Sequence, residues 1–120
     1  MADDLLVTQV RSRTTDVVGR SLNSVRTHHF VIDEPTYGGG PGEELTPGES
    51  FLAGISACGV LLVEGFARHS KIPLTRAEAE IEGRRLRSDP SRYLSVELRF
   101  RLQGPDRDQA EELVRRYQER

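Results

Sequence analysis

Residues 51–63 read Phe-Leu-Ala-Gly-Ile-Ser-Ala-Cys-Gly-Val-Leu-Leu-Val, with no charged side chain and no one-sided polar stripe. A helix apolar on all sides is one meant to be covered over most of its circumference. Its start is marked by Thr46 as N-cap, Pro47 at the first helical position and Glu49 three residues beyond the cap, a capping box with the favoured proline. The run is shorter than the roughly 20 residues that a bilayer requires, which predicts a buried helix in a soluble core. Gly54, Gly59 and Gly65 lie along this helix with Ala53 and Ala57. Each glycine costs about 1 kcal/mol against alanine, a cost offset where another backbone approaches closely.

Before the helix, residues 4–12 alternate Leu6, Thr8 and Val10 against Val7, Gln9 and Arg11, the period of a strand. Turn material follows at 13–16. Residues 17–20 and 24–33 read as further strand, the second piece ending in Phe30-Val31-Ile32. The polar gap 21–23 is the expected turn, so a meander of two or three antiparallel strands is predicted. Residues 33–45 hold four glycines and two prolines and read as a long loop. Beyond the helix, Pro73 blocks continuation. In 75–87, Arg76, Glu78, Glu80, Glu82 and Arg84 alternate with Ala77, Ala79, Ile81 and Gly83. After a turn at 88–92, Leu94, Val96, Leu98, Phe100 and Leu102 alternate with Ser95, Glu97, Arg99 and Arg101. An antiparallel hairpin would set glutamates of one strand against arginines of the other, at about 0.2–1 kcal/mol per pair. Asp106 with Gln109 opens a second helix, whose Ala110, Leu113, Val114 and Tyr117 form one apolar face. The fold class is α+β, a mainly antiparallel sheet with a buried central helix and a C-terminal amphipathic helix, in a single domain spanning 1–120. A helix apolar all round needs more cover than one small sheet supplies, which points to a homodimer.

Composition narrows the function. With 36% hydrophobic and 30% charged residues and a formal net charge of −2, the chain is an ordinary globular protein. Nucleic acid is not favoured as the main partner, although Arg84, Arg85 and Arg87 form a local basic cluster. The start, Met1-Ala2-Asp3-Asp4, is acidic and lacks the apolar stretch of a signal peptide, and a cytoplasmic location is expected. Cys58 is the single cysteine, so no disulfide closes within the chain, and no Cys/His cluster has metal-ligand spacing. No metal or cofactor is therefore expected. The glycine run lacks the lysine of a P-loop and the G-x-G-x-x-G of a dinucleotide fold. His28 and His29 alternate on a strand, so only one of them can face the core, and a core or surface histidine is expected rather than a catalytic one. Glu64, in the apolar helix, is a candidate buried charge.

Taken together, Asp33-Glu34-Pro35, Gly38-Gly39, Thr46-Pro47-Gly48-Glu49 and Ala57-Cys58 resemble the OsmC/Ohr superfamily, the osmotically inducible and organic hydroperoxide resistance proteins. The order of elements is similar across nearly the whole chain. The resemblance implies an intertwined homodimer and a thiol peroxidase site at its interface. Cys58 would be the peroxidatic thiol, an arginine would favour its thiolate, and a carboxylate before the helix would orient that arginine. Arg20 and Arg26 are the candidate arginines. Glu49 is the candidate carboxylate, although where one branch of the family has the acid directly after proline, this chain has Gly48. Two bland readings stand beside these. Glu49 serves as the capping-box acid, 2.5 turns and about 13 Å from Cys58 on an ideal helix, and a free cysteine packs as a small hydrophobe. The implied substrate is an organic or fatty-acid hydroperoxide, with neither nucleic acid nor membrane as partner. Family members carry a second, resolving cysteine as Cys-Pro after the last helix. This sequence ends at Arg120 without it, so it is either a shortened form or one that depends on an external thiol reductant. The alternative is a non-catalytic domain of the same fold that holds a small hydrophobic ligand.

Overall fold

A computed structural model describes residues 4–120; Met1 to Asp3, the acidic start, lie outside the described residues. The chain divides into two compact units, Met1–Ser50 and Phe51–Arg120.

The first unit is a three-stranded antiparallel sheet in the order β1 (Arg11–Thr14), β2 (Arg20–Val25), β3 (His28–Asp33). The meander forms, but its boundaries differ from the alternation-based expectation. Residues 4–10 carry no strand pairing, and Leu5, Leu6 and Val7 are exposed. Pairing begins at Arg11, which faces Ser24 across the ladder, so residues 13 and 14 are strand rather than turn. The turn expected at 21–23 is instead the middle of β2. Asn23 is buried there because its amide is satisfied across the sheet: it accepts from Ser12 Oγ at 2.6 Å and donates to Ser21 Oγ at 3.1 Å and to the Phe30 carbonyl at 3.2 Å. A polar residue whose hydrogen bonds are all met can occupy a strand that its propensity disfavours. The β2–β3 reversal falls at Arg26-Thr27, with Val25 paired to His28 and Arg26 at a φ of 53°. His28 and His29 are both exposed, so neither is a core histidine. From Asp33 the chain runs through a loop with one short 3₁₀ turn, Thr36–Gly38.

Helix α1 (Pro47–His69) begins in the last residues of the first unit and supplies the core of the second. It closes on Lys71 in the left-handed region (φ 57°), and the Ile72 amide donates back to the Ala67 carbonyl at 2.8 Å, a Schellman-type end. The hairpin of β4 (Arg76–Arg84) and β5 (Ser95–Gln103) forms with the expected faces: Ala77 faces Leu102, Ala79 faces Phe100 and Ile81 faces Leu98, while Glu78 faces Arg101 and Glu80 faces Arg99. Arg99 bonds Glu80 at 3.1 Å and Glu97 at 3.2 Å on the charged face. Helix α2 (Arg107–Gln118) opens with the Asp106–Gln109 capping box, both reciprocal bonds being made. It lays Leu113 into a core with Val63 and Ala67 of α1, and Tyr117 meets Phe100 edge to face at 5.3 Å.

The hairpin and α2 cover one side of α1 only. Gly59 marks a close approach, since a methyl placed there would lie 3.1 Å from Phe100 Cζ and 3.3 Å from Leu98 Cδ2. Gly54 and Gly65 look into open space. Phe51 and Leu61 are 56% and 62% exposed, so the circumference that the apolar pattern marks for cover is left open by the chain itself. Glu64 lies in the exposed part of the helix and is not a buried charge. Counted from Pro47 to His69, the helix is 23 residues, long and apolar enough by length and composition to cross a membrane, beyond what the 51–63 run alone implied. Its packing through Gly59, Val63 and Ala67 onto sheet and helix is that of a core element.

Candidate functional site

The strongest polar construction in the first unit begins with register. Arg20, at the start of β2, faces Asp33, at the end of β3, so the two side chains lie side by side on one face. Arg20 Nε donates to Asp33 Oδ1 at 2.7 Å and Nη2 to Oδ2 at 2.8 Å, a bidentate fork. Nη2 also donates to Glu43 Oε1 at 2.9 Å. The loop returns to the same carboxylate, with the amides of Glu43 and Glu44 each donating to Asp33 Oδ2 at 3.1 Å. Asp33 is fully buried yet has four hydrogen bonds. The Arg20 guanidinium, followed by the two loop amides, outweighs the cost of burial and holds its carboxyl at about 2. The same fork, with Glu43, raises Arg20 above the ordinary arginine range.

The other candidates are placed separately. Glu49 sits in the first turn of α1, its Oε1 accepting from the Thr46 amide at 2.8 Å while the Glu49 amide donates to Thr46 Oγ1 at 3.2 Å. This is the complete capping box, and it occupies the carboxylate. The carboxylates that orient Arg20 are Asp33 and Glu43, not Glu49. Arg26 lies at the β2–β3 tip, at the other end of the strand from Arg20 and about 20 Å away by strand rise. Cys58 belongs to the second unit and is exposed. With Gly54 four residues before it and Leu61 and Gly65 three and seven after, it lies on the stripe of α1 that the chain leaves open. Among the described residues, no three His, Cys, Asp or Glu side chains converge as a metal site. Nothing in the local sequence pattern marks Asp33 and Glu43 as partners of Arg20. The available signal was the Asp33-Glu34-Pro35 step, an acid ending a strand just before a proline-bounded loop.

Comparison with known proteins settles the family. A family model described as OsmC-like protein matches residues 40–120. The chain belongs to the OsmC-like family. Solved structures share its fold. The OsmC-like protein from Mycoplasma pneumoniae superposes with a TM-score of 0.81 at 12% identity, covering 96% of this chain and 82% of that one. An organic hydroperoxide resistance protein OsmC from Legionella pneumophila gives 0.72 at 22% identity, covering 98% and 85%. The organic hydroperoxide resistance protein OhrB of Bacillus subtilis gives 0.65 at 24%, covering 97% and 86%. No curated protein sequence matches significantly. In this OsmC-like chain, Cys58 follows the capped helix start that lies inside the matched region.

Proposed function

We propose that this OsmC-like protein is a cytoplasmic thiol peroxidase acting on organic hydroperoxides in defence against oxidative stress, with Cys58 as the peroxidatic thiol and a homodimer as the working form. The observation that carries this reading is the placement of the single cysteine. It is exposed midway along an apolar helix, on a stripe of glycine and leucine where an apolar hydroperoxide would be desolvated on contact. In the reaction the Cys58 thiolate attacks the distal peroxide oxygen and the O–O bond breaks. The alkoxide leaves and takes a proton to become the alcohol, and sulfur is oxidised to a sulfenic acid. An external thiol then condenses with the sulfenic acid, releasing water and forming a mixed disulfide, and a second thiol restores Cys58 as it leaves in the small disulfide. The open stripe of α1 around Phe51, Gly54 and Leu61 supports the homodimer, because two copies meeting there would supply the missing cover.

One observation favours the second reading, a non-catalytic domain that holds a small hydrophobic ligand. Arg20 is committed to Asp33 and Glu43, and Glu49 is committed to the helix cap, so neither presents an unengaged charge. Exposing the protein briefly to an alkyl hydroperoxide without added thiol separates the two. Sulfenic and then sulfinic acid at Cys58 by mass spectrometry, with no peroxide consumed by Cys58→Ser, is the expected result. A folded protein left unmodified by peroxide replaces the enzyme reading with the binding one. In the same preparations, light scattering at micromolar concentration is expected to give twice the monomer mass, and a folded monomer removes the dimer.

A further inference from the structure

We infer that the three-stranded sheet of the first unit carries a binding site for a small, soluble phosphate-bearing ligand, distinct from Cys58. The sheet has an open cleft of about 730 Å³ lined by Arg11, Arg13, Leu22, Ser24, Arg26 and His29. That volume lies within the roughly 300–1,000 Å³ of ordinary small-ligand sites. The strand register assembles it. Arg11 faces Ser24 and Ser24 faces His29, which makes one row across all three strands, and Arg13 faces Leu22 in the next row. Arg11 and Arg13, two residues apart on one strand, project from the same face about 7 Å from each other. Arg26 stands beyond them at the hairpin tip.

Charge accounting identifies the ligand class. The first fifty residues hold four arginines and eight acidic residues. Arg20 takes two of those acids. Among the described residues no carboxylate lies within ion-pair distance of Arg11, Arg13 or Arg26, so these three arginines line one cleft with no counterion from the described residues. Like charges gathered this way repel one another, and an anion that each fork can bond in two places relieves them. A phosphate group supplies a charge near −2 and three acceptor oxygens, enough for more than one arginine at once. The cleft adds neutral polar groups suited to the rest of such a ligand: Ser24 Oγ and His29 Nδ1 are 2.8 Å apart, which fixes the ring and leaves its other nitrogen available, and Leu22 provides an apolar floor. The patch is too small, on a unit with an excess of acids, for an extended phosphodiester chain or an anionic bilayer. Either would run from the three arginines onto repulsive surface.

The test is titration calorimetry of the intact protein with inorganic pyrophosphate at low salt, paired with amide chemical-shift mapping. Saturable one-to-one binding is expected, weakening as salt rises, with the largest shifts at Arg11, Ser24, Arg26 and His29. The Arg11→Gln/Arg26→Gln double variant, confirmed folded by circular dichroism, should bind about tenfold or more weakly. Arg107→Gln, at an exposed arginine on α2, should bind as the parent does, and so should Cys58→Ser, which separates this site from the peroxidase reading. Absence of saturable binding, shifts confined elsewhere, equal affinity in the double variant, or binding to phosphatidic-acid vesicles but not to pyrophosphate would each overturn the inference.

Discussion

The two units of this small protein are held together by different means. In the second, the buried side chains are apolar, Val63, Ala67 and Leu113, where two helices and a hairpin face converge. In the first, the fully or nearly fully buried side chains are Asn23 and Asp33, both polar and both bonded on every side. A helix and a hairpin of two nine-residue strands each bring a continuous apolar face, so burial is driven by water's exclusion and tolerates exchange of one hydrophobe for another. The three-stranded sheet, with no fully buried apolar side chain among the described residues, has no such reserve. It depends on directional bonds, which fix register well but fail together when one charge is altered.

The largest expected effect tests the apolar half. Leu113→Ala empties the point where α2 meets α1 and should cost about 2–5 kcal/mol in denaturant unfolding; a loss under 1 kcal/mol would mean that α2 is only loosely docked. The next tests the polar half by pH. Asp33 is held at about 2 against an ordinary value near 3.8, so its contribution is complete above about pH 4 and disappears as the pH falls toward 2. Amide exchange in β2 and β3 should accelerate through that window while β4 and β5 are unaffected by this carboxyl, and Asp33→Asn should abolish the pH dependence and lower protection at neutral pH. If both sheets lose protection together, the units are not energetically separate. The smallest effect compares the two sides of α1. Gly59→Ala sets the gain in helix propensity, about 1 kcal/mol, against crowding of Phe100 and Leu98, and should be neutral to mildly destabilising. Gly65→Ala meets nothing in the chain and should stabilise by about 0.5–1 kcal/mol. A loss at Gly65 instead would place the contact of a second copy there, to be checked by light scattering of the same variant.

Elements whose order depends on local pattern were legible from the residues. The period-two alternation of 75–87 and 94–102 set the hairpin and which face is charged, and Asp106 with Gln109 marked the start of α2. Thr46 and Glu49 marked the start of α1 in the same way. In each case the deciding interaction spans three or four residues, or follows from a strand's own periodicity, so the sequence alone carries it. The first sheet departs in detail from the local pattern because its register is chosen across the ladder. Leu6, Val7 and Val10 alternate like a strand yet find no partner, whereas Asn23, a turn former by propensity, is held in β2 by groups from both neighbouring strands. Tertiary structure likewise decided which carboxylates Arg20 would bond, since Asp33 and Glu43 lie thirteen and twenty-three residues away and meet it only through the β2–β3 pairing and the loop's return. It also decided which side of α1 is covered. The apolar run declares that cover is needed all round, but a one-dimensional pattern cannot say which neighbour provides it, and the folded chain supplies only the Gly59, Val63 and Ala67 side.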